Sequence, residues 1–236
     1  MFELEEQLWW YSGMRSITSS ILNGAFESRP VSRILDVGCG TGYSMIWLRK
    51  RFPSAETFGV DLSPHAAELW KEKAIDTAVL ARANCLPFIP ESFDLVTCFD
   101  VIYQLEADEA RTAVAEFNRV LRRGGLLFIR EPAYDWLRGS HDVAVGTKHR
   151  FNRAEVRGLL ESSGFHIKRA TYANSLLFGL ALAHRVASRG SGASDVKPAP
   201  APLNWLFGSV LKTEASLLRG VNFPFGLSVV ALAQKM

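Results

Sequence analysis

Residues Ile34-Leu35-Asp36-Val37-Gly38-Cys39-Gly40-Thr41-Gly42 read as one buried strand that runs directly into a glycine-rich turn. Gly38, Gly40 and Gly42 permit positive φ and let the backbone approach a ligand that a Cβ would hold off. A phosphate-gripping loop would place four residues between its glycines and follow them with Gly-Lys-Ser/Thr, and no lysine follows Gly42. The dinucleotide fingerprint G-x-G-x-x-G is missed as well, because the third glycine arrives one residue early. Asp36, two residues before the first glycine, would repel a diphosphate and suits a ligand with an ammonium or sulfonium centre. An ordinary strand-to-helix turn can carry the same glycines, so the neighbouring segments decide the reading.

The next segment, Glu56-Thr57-Phe58-Gly59-Val60-Asp61-Leu62-Ser63, reads as a second short strand ending in an acid. Asp61 stands at roughly the 20-residue offset where such folds place a carboxylate for ribose hydroxyls. Ser63, just before Pro64, is expected to cap the helix that follows. Thr77 to Ala83 forms a third strand, followed by Asn84-Cys85-Leu86-Pro87-Phe88, and Ser92 to Asp100 a fourth. A helix over Asp108 to Leu121 ends in Arg122-Arg123-Gly124-Gly125, read as a basic helix end with a left-handed glycine cap. Strand five follows at Leu126 to Ile129, a helix at Phe151 to Ser163 stopped by Gly164, strand six at Phe165 to Tyr172, and a last strand at Leu227 to Ala233. Such alternation predicts an α/β fold with a doubly wound, mostly parallel sheet of seven strands and ligands at the strands' carboxyl ends.

In this order the segments resemble the motifs of the class I, Rossmann-like S-adenosylmethionine-dependent methyltransferases. Leu8-Trp9-Trp10-Tyr11-Ser12-Gly13-Met14-Arg15, Arg130-Glu131-Pro132-Ala133-Tyr134-Asp135-Trp136-Leu137, His141-Asp142, His149-Arg150-Phe151 and Pro224-Phe225-Gly226-Leu227-Ser228 extend the likeness to a bacterial, type 11-like branch acting on small molecules. The resemblance implies S-adenosylmethionine as cofactor, with Asp61 on the ribose and an N-terminal helix bringing Tyr11 and Arg15 to the methionine end. Its remaining contacts would come from Asp36, Gly38, Cys39, Gly40, Leu62, Arg82, Ala83, Asn84, Phe99 and Tyr103. Two positions depart from the family pattern. Arg82 stands where an acid usually meets the adenine, leaving that end to the Ala83 backbone and Asn84, and Tyr103-Gln104 replaces a common Glu-His pair.

Methyl transfer from a sulfonium is an in-line displacement, so the enzyme mainly aligns acceptor, methyl and sulfur. A base is needed only where the acceptor loses a proton. His141 leads the candidates because an unperturbed histidine titrates near neutrality, followed by Tyr134 and Glu131, with His149 fourth. His184 reads as structural. The implied reaction is transfer to O, N or C of a small apolar or aromatic acceptor. The alternatives are a non-methylating relative that keeps the cofactor for a cyclisation, a binding partner of another enzyme or, more remotely, a dehydrogenase.

At 236 residues the chain fits one such domain over residues 1–236. No apolar run reaches the roughly 18 to 20 residues that span a bilayer, and the acidic start Met1-Phe2-Glu3-Leu4-Glu5-Glu6 lacks the basic region of a secretory signal, so the expectation is cytoplasmic. Three cysteines, Cys39, Cys85 and Cys98, form no paired spacing; they read as small buried residues, and no metal is expected. The net charge of +3 is spread without a basic stripe, which disfavours nucleic acid. Residues 174–219 form an insertion: an apolar stretch Asn174 to Arg185, a Gly/Ser/Ala/Pro-rich mobile loop Arg189 to Pro202, and an amphipathic helix Leu203 to Arg219. That insertion reads either as a helical pair packed on the sheet edge or a partner, or as the wall of an apolar substrate pocket, with peripheral membrane contact a further use.

Overall fold

The computed structural model describes residues 5, 8–26, 30–187 and 200–236, with the side chains of 140–141 and 184–187 left out of the description. In chain order the elements are α1 (Trp9–Asn23), β1 (Arg33–Val37), α2 (Tyr43–Arg51), β2 (Glu56–Asp61), α3 (Pro64–Glu72), β3 (Ala78–Leu80), β4 (Phe93–Phe99), α4 (Ala107–Val120), β5 (Leu121–Pro132), α5 (Ser140–Ala144), α6 (Arg153–Ser162), β6 (Phe165–Ala173), α7 (Phe178–Ala187), α8 (Ala201–Leu217) and β7 (Ser228–Lys235). Among the described residues seven strands form one sheet in the order β3-β2-β1-β4-β5-β7-β6. Only β7 runs antiparallel, pairing with β5 from Leu126↔Gln234 to Pro132↔Ser228 and with β6 on its other side.

Burial on both faces explains why the central strands are mostly apolar. Ile34, Leu35 and Val37 of β1 and Leu95, Val96 and Cys98 of β4 are buried, as central strands of a parallel sheet covered by helices should be. One cluster, around Phe93, Phe117, Val114 and Leu160, lies on the α4 and α6 face. Another, around Met14, Ile17, Leu48, Phe128 and Leu211, gathers α1, α2 and α8 on the opposite face. Strand order reverses between β1 and β4, which opens a crevice at their carboxyl ends, where doubly wound sheets hold their ligands.

Three expectations need correction. Helix α4 ends at Val120, and Leu121 is already extended and paired with Phe93 in β5. Arg122 to Gly125 therefore form an irregularity inside the β4–β5 ladder, with Arg122 held by Asp94 at 2.8 Å, rather than a helix cap. Ser63 makes no side-chain cap bond; instead its N–H donates to Asp61 Oδ1 at 2.9 Å. Cys39 and Cys98 are buried, but Cys85 is exposed.

The insertion divides its helices between two places. Helix α8 packs along α1, where a Cβ on Gly13 would stand 2.3 Å from Leu211 Cδ1, so the close approach depends on that glycine. The Trp9 and Phe207 rings meet at 5.1 Å, and Trp9 N–H donates to Asn204 Oδ1 at 2.9 Å. Glu214, fully buried on α8, accepts from the N–H groups of Ser175 and Leu176 and ties the helix to the end of β6. Helix α7 goes elsewhere, starting with Phe178 in an aromatic cluster at the ends of β5 and β6. The mobile loop expected at Arg189 to Pro202 lies outside the described residues up to 199.

Candidate active site at the carboxyl ends of the strands

The turn after β1 is shaped by what lies on each side of it. Gly38 has φ +74°, and a Cβ there would meet Val101 Cγ2 at 2.2 Å, so packing alone demands glycine. Gly40 has φ +51°, and among the described residues nothing lies within 4 Å of where a Cβ would stand, so its backbone is bare on that side. A cradle that a side chain would fill, on the ligand edge of the sheet, is what close approach of a cofactor to main chain requires.

Side chains from distant elements fix that turn. Asp61 accepts from Gly40 N–H at 2.8 Å through one oxygen and from Ser63 N–H through the other, and each oxygen keeps a further lone pair. Trp70 Nε1 donates to the Gly40 carbonyl at 2.8 Å and Lys73 Nζ to the Thr41 carbonyl at 2.6 Å. Thr41 Oγ1 donates to Glu5, whose carboxyl burial pushes upward. Cys39 contributes backbone only: its thiol is buried beneath the turn with Met45 and Trp70, and burial raises its pKa.

Asp36 does not present its charge to the crevice. Thr97 Oγ1 donates to one carboxylate oxygen at 2.7 Å and Ser44 to the other, and the residue is 1% exposed. The expected direct contact with a cationic ligand is thereby corrected to support of the turn from beneath. Burial raises its pKa to about 6, against the two hydroxyl bonds. A raised carboxyl stabilises the fold below the unfolded value of 3.8 and loses that contribution as pH climbs through about 6. The unfolding free energy of the cofactor-free protein, relative to Asp36→Asn, should therefore fall by about 3 kcal/mol between about pH 4 and pH 8. A flat difference in denaturant titrations would contradict this assignment.

The N-terminal helix closes over the crevice. Arg15 donates to the Glu5 carbonyl at 3.2 Å and lies 4.8 Å above the Tyr43 ring. Tyr11 packs edge-on to Trp10 at 4.9 Å, and Trp10 sits against the Arg130 guanidinium at 5.1 Å. Arg130 in turn pairs with Asp100, which follows β4 at φ +56°, and stacks on Phe99 at 5.0 Å. A left-handed non-glycine residue beside the site is the kind of strain found where side chains must be aimed.

The remaining cofactor candidates line up along the same edge. Leu62 is 60% exposed just beyond Asp61. Arg82 is exposed, and its carbonyl accepts from Cys85 N–H at 3.1 Å, while Ala83 and Asn84 are half-buried. Glu116 and Arg119 of α4 brace this loop through Leu86 N–H at 2.8 Å and the Phe88 carbonyl at 2.7 Å. Tyr103 is nearly buried; its hydroxyl accepts from Gln104 Nε2 at 2.9 Å, and burial pushes it up to about 12.

The base candidates fare differently. Glu131 is fully buried, with its oxygens accepting from the N–H groups of Val101, Ile102 and Tyr103 at 3.1 to 3.3 Å, and burial lifts its pKa well above the carboxylate range. It pins the turn after β4 and cannot reach an acceptor. Tyr134 lies stacked between Tyr172 at 5.2 Å and Trp136 at 5.5 Å; burial and the Tyr172 hydroxyl raise its pKa, so it stays protonated and is a poor base. His149 is held by Asp135 at 2.9 Å on Nδ1 and Glu155 at 3.2 Å on Nε2, which commits both nitrogens. His141 belongs to α5, and its side chain, like that of His184, lies outside the description.

Glu5, Trp10, Trp70, Lys73, Asp100 and Arg130 are the parts that the sequence did not single out. Asp100 carried a signal, since it directly follows β4 much as Asp61 closes β2. Trp70 and Lys73 did not, because their partners lie 30 and 32 residues away.

A parallel sheet with a switch-point crevice, a bare glycine cradle and a carboxylate at the end of the second strand defines a nucleoside-cofactor enzyme of the doubly wound class. The model of a methyltransferase domain family matches residues 35–129. The malonyl-[acyl-carrier protein] O-methyltransferase of Enterobacter lignolyticus is 31% identical over 185 residues, 76% of this chain and 72% of the relative. The ubiquinone/menaquinone biosynthesis C-methyltransferase UbiE of Bordetella parapertussis is 28% identical over 181 residues, 70% of this chain and 69% of the relative. Among solved structures, the protein bound to the Haloferax volcanii Trm112 methyltransferase activator superposes with a TM-score of 0.63 at 19% identity, covering 98% of this chain and 91% of its own. The chain belongs to the class I S-adenosylmethionine-dependent methyltransferases, enzymes that use S-adenosylmethionine as cofactor.

Among the described residues no helix is long and apolar enough to cross a membrane, and no cluster of His, Cys, Asp or Glu could hold a metal ion.

Proposed function

We propose that the acceptor is a small apolar or aromatic molecule held against an aromatic face at the ends of β5, β7 and β6. The observation that supports this is the run of rings Tyr172, Tyr134, Trp136, Phe178 and Phe225, with neighbouring centroids 5.2 to 6.3 Å apart. Its outer members stay open to solvent, Trp136 at 60% and Phe225 at 47%. An exposed aromatic cluster beside a cofactor crevice is a binding surface rather than core. It stands on the same sheet edge as Asp100, about two strand spacings or roughly 10 Å away.

S-Adenosylmethionine, when bound, supplies an electrophilic methyl group on sulfur. The chain's part is alignment: Gly40 backbone and Asp61 hold the nucleoside, Tyr11 and Arg15 of α1 lie toward the methionine end, and Ala83 and Asn84 lie toward the adenine. With Glu131 buried, Tyr134 protonated and His149 committed to two carboxylates, this reading places orientation ahead of proton abstraction.

Asp61→Ala should weaken S-adenosylmethionine by about 1 to 3 kcal/mol, since one carboxylate meets both ribose hydroxyls. Calorimetry giving wild-type affinity in the folded variant would assign Asp61 to the turn alone. For the acceptor, apolar metabolite extracts supplied with methyl-labelled S-adenosylmethionine should yield a labelled product together with S-adenosylhomocysteine. Trp136→Ala should then raise KM for that acceptor about tenfold, with cofactor affinity unchanged. Tight cofactor binding with no S-adenosylhomocysteine released would favour a non-methylating relative, and an unaltered KM would remove the aromatic face from the acceptor site.

A further inference from the structure

A groove of about 440 Å³ opens between α1, α2 and α8. Among the described residues its lining includes three cations, Arg15, Lys212 and Arg219, together with Ser19 and the Trp47 indole, and no carboxylate. Arg15 is engaged by the Glu5 carbonyl and the Tyr43 ring. The Ser19 hydroxyl, the Trp47 Nε1, the Lys212 ammonium and the Arg219 guanidinium have no hydrogen-bond or ion-pair partner among the described residues. Elsewhere on the surface, Arg111, Arg122, Arg138 and Arg157 each hold a carboxylate. A concave site ringed with unpartnered donors and cations is complementary to an anion.

The arrangement of the donors points to phosphate. They come from two walls, α1 and α2 on one side and α8 with the residues just after it on the other, and a phosphate monoester, with three terminal oxygens and up to two charges, can engage more of them at once than a carboxylate with two oxygens and one charge. Trp205 and Lys212, seven residues apart, share one face of α8, and Trp205 is 73% exposed. That juxtaposition of an exposed indole with cations also suits the headgroup region of a lipid surface. We propose that this groove binds a phosphate monoester, either as a small metabolite or as a phospholipid headgroup; the site is independent of what accepts the methyl group. Cations near a helix C-terminus also complement the helix dipole, a role that draws no ligand.

Calorimetric titration of the full chain with glycerol 3-phosphate, and sedimentation with vesicles of phosphatidic acid against phosphatidylcholine, separate these cases. The expected result is saturable binding in at least one arm, weakened about tenfold or more in the double variant Lys212→Ala/Arg219→Ala. Both side chains are exposed and lie outside the cofactor crevice, so S-adenosylmethionine affinity should be unchanged and serves as the check on folding. Binding of glycerol 3-phosphate identifies a metabolite site, and binding only to phosphatidic acid vesicles a lipid one. No saturable binding in either arm, or equal binding by the double variant, would overturn the proposal.

Discussion

Truncation of Glu131 to alanine is expected to lower the stability of the fold by about 3 to 5 kcal/mol, because it orphans the N–H groups of Val101, Ile102 and Tyr103 at the end of β4. In a chain of this size that corresponds to a fall in melting temperature of roughly 10 °C. The position looks catalytic in sequence, an acid at the end of strand five on the ligand edge, yet it is fully buried and its oxygens are spent on backbone. The two roles diverge sharply under conservative substitution. Glu131→Gln keeps one acceptor and turns the other into a donor facing an N–H, so it should still destabilise. If Glu131 were instead a base, Glu131→Gln would abolish turnover at an unchanged melting temperature, and thermal denaturation alongside initial rates reads both.

Replacing Gly40 with valine should abolish measurable S-adenosylmethionine binding, a loss of about a hundredfold or more, while the protein still folds. Among the described residues nothing lies within 4 Å of the added Cβ, so the fold meets chiefly the cost of a β-branched left-handed residue at φ +51°, about 1 to 3 kcal/mol. The new side chain would project into the space that the bare backbone leaves for a ligand. Gly38 offers the contrast: a Cβ there would overlap Val101 at 2.2 Å, so Gly38→Ala should lose stability by more than Gly40→Val, irrespective of cofactor. If calorimetry found Gly40→Val binding as wild type does, the cofactor would have to lie elsewhere along the edge.

The parts of this molecule that were legible in sequence are those fixed by local rules. A short, mostly apolar run such as Ile34 to Val37 that runs into closely spaced glycines reads as a central strand, and positive φ at Gly38, Gly40 and Gly42 follows from the turn that ends it. Asp61 announced itself by its place at the end of the second strand. The errors fall where long-range packing decides. Arg122 to Gly125 have the composition of a helix cap, but Leu121 is captured by Phe93 and the strand begins early. Asp36 looked like an exposed anion because nothing in its neighbourhood reveals that Thr97, from β4, will cover it. Glu131 was misread for the same reason, since its partners come from a turn 28 to 30 residues earlier. The insertion showed helical periodicity but not destination: α8 owes its place on α1 to Gly13 and Leu211, a pairing with no sequence signature.

The central claim is that the crevice above Gly40 and Asp61 holds S-adenosylmethionine and excludes a dinucleotide. Calorimetric titration of the full chain with S-adenosylmethionine, S-adenosylhomocysteine and NAD tests it in one experiment. Saturation at one site per chain by the first two, with no heat from NAD at the same concentrations, is the predicted result; tight binding of NAD with none of S-adenosylmethionine would contradict it.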